Sequence, residues 1–148
     1  MENDSVEDSV VIKASPSTIW DLLISPEKIK LYIGAAAKTD WAIGSSISWE
    51  GEMQGMTYHN KGRVLENVPA SRLKYTFWSG MGGDVDLLEN YSEITFVLNP
   101  LDDGLVKLTY TRKNIPTEIE KEVFEQNLPS MLQEIKRLAE GELPDPKK

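Results

Sequence analysis

The 148 residues amount to about one ordinary domain, long enough to bury roughly two-thirds of the surface of the unfolded chain. Forty per cent hydrophobic and 27 per cent charged residues fall in the globular range, which excludes a collagen-like or wholly disordered chain. No cysteine is present, so disulfides, thiolate metal sites and a cysteine nucleophile are excluded, and 16 basic against 24 acidic side chains leave a formal charge of −8 that repels nucleic acid and anionic lipid.

Residues 1–9 carry Glu2, Asp4, Glu7 and Asp8 without a basic residue, unlike a secretory or mitochondrial leader, and read as a flexible acidic head. No apolar run approaches a membrane span, so a cytoplasmic protein without stable membrane insertion is expected. The alternation around Val10 and Ile12 predicts a first strand, stopped at Ala14-Ser15-Pro16. Ser15 as N-cap and Pro16 at the first helical position open a helix bearing Ile19, Trp20, Leu22 and Leu23. Ser25-Pro26-Glu27 repeats the signal, so a second short helix carries Ile29, Tyr32 and Ile33 until Gly34.

From Lys38 to Arg112 the period changes to two. Ile47 and Trp49, the run Tyr58 to Glu66, then Leu73, Tyr75 and Phe77, then Ile94, Phe96 and Leu98, and finally Val106, Leu108 and Tyr110 mark consecutive strands. The turns between them predict an antiparallel meander with one buried face. Thr117 and Glu120 then have capping-box spacing ahead of a long helix whose apolar stripe is Val123, Phe124, Leu128, Met131, Leu132, Ile135, Leu138 and Ala139. Pro129 predicts a kink in it, and Glu125, Glu134, Lys136, Arg137 and Glu140 read as its wet face. Residues 10–141 thus form one expected domain and 142–148, with two prolines, a frayed tail.

A strand, two short helices, an antiparallel sheet of about six strands and a long closing helix resemble the helix-grip fold of the START-like superfamily, an α+β class in which a curved sheet wraps the last helix. Several segments narrow the resemblance: Ile19-Trp20-Asp21-Leu22-Leu23 with Ser25-Pro26-Glu27, Thr39-Asp40-Trp41 followed by Gly44, and Gly62-Arg63-Val64-Leu65-Glu66. Pro69 with Arg72-Leu73 and Tyr75-Thr76, then Ile94-Thr95-Phe96 and Leu108-Thr109, continue the series. In this order they are similar to the family of heat-shock protein 90 ATPase activator homologues, over about Val10 to Leu138. The resemblance implies a cavity between sheet and last helix that takes a hydrophobic or amphipathic small molecule, a lipid or polycyclic aromatic compound. Its alternatives are a module that stimulates a chaperone ATPase, or a cyclase- or dehydratase-like enzyme.

Bulky inward positions supply the candidate ligand-binding residues: Trp20, Trp49, Tyr75, Phe77, Phe96, Tyr110, Phe124, Leu128 and Met131, with the Tyr75 and Tyr110 hydroxyls as polar handles. The methionines Met53, Met56 and Met131 suit adaptable walls. His59 is the sole histidine; strand parity turns it outward beside Lys61 and Arg63, so it is a secondary candidate, and a bulge near Gly55 or Gly62 would reverse its side. No acidic set converges on His59 in the sequence, so no metal or other cofactor is expected. Gly80-Met81-Gly82-Gly83-Asp84-Val85 lacks the lysine and final glycine of phosphate loops and reads as a hairpin loop able to cover a cavity mouth. No Gly-x-Ser-x-Gly elbow is present, and no catalytic residue is assigned.

Overall fold

The computed structural model describes residues 5–33, 35–53, 55–79 and 86–141. The acidic residues 1–4, the glycine-rich segment 80–85 and the tail 142–148 lie outside the described residues. The chain runs β1 (Val6–Ile12), α1 (Pro16–Ile24), α2 (Pro26–Ile33), β2 (Ala36–Lys38), β3 (Ser46–Met53), β4 (Met56–Val68), β5 (Arg72–Ser79), a single turn of 3-10 helix, β6 (Ser92–Pro100), β7 (Val106–Lys113) and α3 (Glu118–Ala139). The strands form one antiparallel sheet in the order β1-β7-β6-β5-β4-β3-β2, a meander closed by the first strand lying beside the last. This is an α+β helix-grip arrangement, with seven strands among the described residues instead of about six. The additional strand is the three-residue β2, too short to show a period.

Strand β1 begins at Val6, so residues 6–9, expected in the acidic head, pair with Thr109 to Arg112 of β7. Its burial pattern explains the difference: Val6 is inward while Glu7 stays in water, so a strand can bear acidic residues on its outer face. All three predicted helix starts are observed: α2 opens at Pro26 directly after Ser25, and in the other two Ser15 Oγ accepts the Thr18 amide at 3.2 Å and Thr117 Oγ1 accepts the Glu120 amide at 3.1 Å. In α2, Ile29 is buried but Ile33 is exposed. Helix α3 is continuous through Pro129, whose ring is exposed. Val123, expected in its apolar stripe, is 52 % exposed, because the face that meets the sheet is the narrower arc of Phe124, Leu128, Leu132 and Ile135.

Two charges of the expected wet face turn inward to β1. Lys136 Nζ donates to the Val11 carbonyl at 3.1 Å, and Glu140 Oε2 accepts from the Lys13 amide at 2.9 Å and from Lys136 Nζ at 2.6 Å. The outer edge of β1 is thereby occupied by side chains of α3, which blunts an edge otherwise open to another strand. Beneath this clasp Ile12, Val106, Leu108, Leu132 and Ile135 are almost fully buried. No helix among the described residues is long and apolar enough to cross a membrane.

Candidate functional site

The backbone of α3 approaches the sheet most extensively at β1. Toward β3 and β5 the inner face carries aromatic rings, because period two repeats aromatic residues on inward positions of successive strands. Trp49 lies 5.5 Å from Tyr75 and 5.3 Å from Phe77; Tyr75 lies 6.5 Å from Phe96; Phe96 meets Tyr110 edge-on at 4.9 Å; and Tyr110 reaches Phe124 of α3 at 5.5 Å. Six of the nine predicted residues therefore join one continuous chain of rings. Trp20 and Leu128 are buried in the same core, and Met131 is half-buried against it. His59 is on the opposite face, exposed and paired in register with Glu50. The register irregularity of β4 falls between Val64 and Glu66, beyond the stretch that sets the direction of His59.

Three tyrosine hydroxyls converge within this wall. Burial pushes the Tyr75 phenol well up, against the opposing pull of the Arg112 charge. Burial likewise raises Tyr32 and Tyr110, and each is further raised by its electrostatic coupling to Tyr75. Tyr32 donates its proton to the Leu22 carbonyl at 2.8 Å, and the Tyr75 and Tyr110 phenols stand buried among the rings of the core. All three phenols remain protonated at neutral pH and are competent donors.

The stripe Val106, Leu108, Tyr110 continues by parity to Arg112, a buried cation that sequence reasoning missed although the same period points to it. Arg112 Nε donates to Ser92 Oγ at 3.0 Å, Ser92 passes its own proton to the Asn114 carbonyl at 3.1 Å, and Arg112 Nη2 donates to Glu120 Oε2 at 2.5 Å. The guanidinium also lies 5.2 Å from the Phe77 ring and 5.0 Å from that of Phe124. The capping-box spacing of Glu120 is thus only half used: its amide is capped by Thr117, and its carboxylate turns to Arg112. A cleft of about 440 Å³ opens here, between the ends of β5 and β7 and the first turns of α3.

Trp41 is the other residue not foreseen as part of the wall. Its φ of 62° places a non-glycine residue in the left-handed region, held there by Nε1 donating to the Ile24 carbonyl at 2.7 Å and by an edge contact with Tyr75 at 6.2 Å. Among the described residues, no group of three or more histidine, aspartate or glutamate side chains converges as a metal site.

Residues 13–140 match the family model described as Activator of Hsp90 ATPase homolog 1-like protein. Comparison with curated proteins gives no match. Among solved structures, the chain is similar to a Cytophaga hutchinsonii protein, ChR145, at 36 % identity and a TM-score of 0.79, covering 93 % of this chain and 94 % of that one. It is also similar to the Aha1 dimer of Colwellia psychrerythraea, at 18 % identity, a TM-score of 0.71 and coverage of 92 % and 96 %. A Plasmodium falciparum HSP90 activator aligns at 19 % identity with a TM-score of 0.62, over 77 % of this chain and 75 % of that one. The likeness to the last two is one of fold.

Proposed function

The chain belongs to the family of activator of Hsp90 ATPase homolog 1-like proteins, and within that family we propose that it binds a hydrophobic or amphipathic small molecule between the sheet and α3. The observation that carries this reading is the run of six rings from Trp49 and Phe77 through Tyr75, Phe96 and Tyr110 to Phe124 of α3, which sets two phenol hydroxyls in an aromatic interior. A core built only for stability gains nothing from a hydroxyl where phenylalanine would pack, since taking the hydroxyl out of water carries a cost. A ligand with one or two polar groups on an apolar body, such as a lipid or a polycyclic aromatic compound, would match both the rings and the hydroxyls.

An amide NMR titration against a panel of apolar and amphipathic compounds tests the reading. Saturable shifts are expected on Trp49, Tyr75, Phe96, Tyr110 and Phe124, and Tyr75→Phe or Tyr110→Phe should weaken binding roughly two- to tenfold, the value of one hydrogen bond. No shift with any member of the panel, or unchanged affinity in both variants, overturns it. The family match also supports a second reading, stimulation of a chaperone ATPase. An ATPase assay with the cognate chaperone separates the two: stimulation that persists when the interior hydroxyls are removed would favour an interaction module.

A further inference from the structure

Glu120 is bound on one side only. Oε2 accepts from Arg112 at 2.5 Å, while Oε1 is shut off from water and has no hydrogen-bond partner. An unmatched carboxylate oxygen at such a depth is costly, because a buried acceptor loses its hydration and receives nothing in exchange. Arg112 leaves little freedom for rearrangement: its side chain is 5 % exposed, Ser92 holds Nε, and the Phe77 and Phe124 rings lie within cation–π distance. The pair lines the cleft of about 440 Å³ together with Phe77, Val123, Phe124 and Asn127. The Phe77, Val123 and Phe124 side chains thus stand beside a carboxylate of which one oxygen lacks a donor.

We infer that this cleft is the head-group end of the ligand site and selects amphipathic molecules whose polar end is a neutral O–H or N–H donor, with Glu120 as the specificity-determining residue. The inference rests on the small-molecule reading above and names the class of ligand. Charge decides between head groups. Arg112 and Glu120 already neutralise one another, so a carboxylate head would place a second anion beside Glu120, and an ammonium head a second cation beside Arg112, each desolvated among phenylalanine rings. The Glu120 side chain is 20 % exposed, so a turn of its carboxylate brings Oε1 from its covered position to the cleft, where a phenolic or alcoholic hydroxyl, or a carboxamide, donates to it and leaves the pair neutral. Its apolar body then lies along Phe77 and Phe124 toward the tyrosine hydroxyls.

Three probes with one apolar body test this: 4-hexylphenol, 4-hexylbenzoate and 4-hexylbenzylammonium, titrated at pH 7.4 into the full chain labelled with ¹³C and ¹⁵N. The phenol is expected to bind at least about tenfold more tightly than either ion, and to move the Glu120 carboxyl carbon resonance. In Glu120→Gln the site carries an uncompensated Arg112, so the order should invert, with the benzoate preferred over the phenol by about tenfold. The carboxyl resonance is read on the unsubstituted protein and so decides the matter even where Glu120→Gln fails to fold. Equal or tighter binding of the benzoate by the unsubstituted protein, or a phenol complex that leaves the Glu120 carboxyl resonance in place, overturns this inference and leaves the small-molecule reading standing. Absence of saturable shifts with all three probes and with the wider panel overturns both.

Discussion

The interior of the grip has two unlike ends. Where the C-terminal half of α3 crosses β1, aliphatic side chains meet without a polar atom among them: Ile12, Val106, Leu108, Leu132 and Ile135 are each at most 2 % exposed, and the Lys136–Glu140 clasp seals the strand edge outside them. At the N-terminal end of α3, rings replace aliphatic side chains, phenol hydroxyls and a guanidinium enter the interior, and Phe77 and Phe124 are only half-buried. One end is built as a core and the other as a lining. Close-packed aliphatics gain most from excluding everything else, whereas half-buried rings with polar groups among them suit contact with a ligand. The contrast separates residues expected to govern stability from those expected to govern binding.

The sharpest way to divide the two ends is alkali, which reaches only one of them. The folded state raises the Tyr32, Tyr75 and Tyr110 phenols by burial, so stability from keeping them protonated is fully present below the ordinary tyrosine pKa of about 10 and is lost as pH rises through the folded values. On the outer face, Tyr91 is pushed up to about 12 by burial and by its hydrogen bond to Asp86, and loses its share between pH 10 and 12. Absorbance at 295 nm should therefore show delayed ionisation followed by a cooperative step that coincides with loss of near-ultraviolet circular dichroism. In Tyr75→Phe/Tyr110→Phe the unfolding step should move to higher pH. Non-cooperative titration of all phenols near pH 10 would mean that the lining is wet.

Truncation at the aliphatic end comes next. Ile135→Ala, at a fully buried position, should cost about 2–5 kcal/mol in denaturant unfolding, from lost burial plus the cavity left behind. Ligand affinity measured well below the melting temperature should be unchanged, since no ring or polar handle of the lining is touched. A tenfold loss of affinity in the folded variant would join the two ends into one site.

At the other end, Arg112→Met should cost about 3 kcal/mol by leaving the Glu120 carboxylate without its cation, and Arg112→Met/Glu120→Leu should regain most of that. The double variant would thus be stable yet lose its discrimination among head groups, the mirror image of Ile135→Ala. A double variant that is no more stable than the single one would show that the pair supports the fold itself.

How far each end can be read from the sequence follows the same division. Period-two alternation and the helical stripe reveal the aliphatic end and most of the ring wall, because both depend on one-sided burial, which leaves a period. Besides Trp41, three features escape it. Strand β2 is Ala-Ala-Lys and too short to alternate; Arg112 extends a stripe in which its charge argues against an inward place; and Glu120 satisfies a capping-box pattern while its carboxylate serves another partner. Each departure lies where a polar group or a short edge replaces apolar burial, and two of the three lie in the candidate site. The lining residues are legible as a set of rings, but the charge among them is held by Ser92 of β6, twenty residues back, and by Glu120 across the turn from β7 into α3, contacts that neither the strand period nor the helical stripe encodes.

The smallest effect is expected at the only histidine. His59 is exposed on the sheet face that points away from α3, opposite Glu50 in the register of β3 and β4 and far in parity from the ring wall. Replacing it removes surface that is already in water, so His59→Ala should leave stability within about 0.5 kcal/mol and the affinity of any interior ligand unchanged. The same substitution discriminates against acid–base catalysis, for which a histidine near neutrality is the ordinary agent. Were turnover of some substrate detected and then abolished in His59→Ala, chemistry would lie on the outer face, beside the cleft that His59 shares with Lys61 and Arg63. The two-ended interior would then be no more than the support for that face.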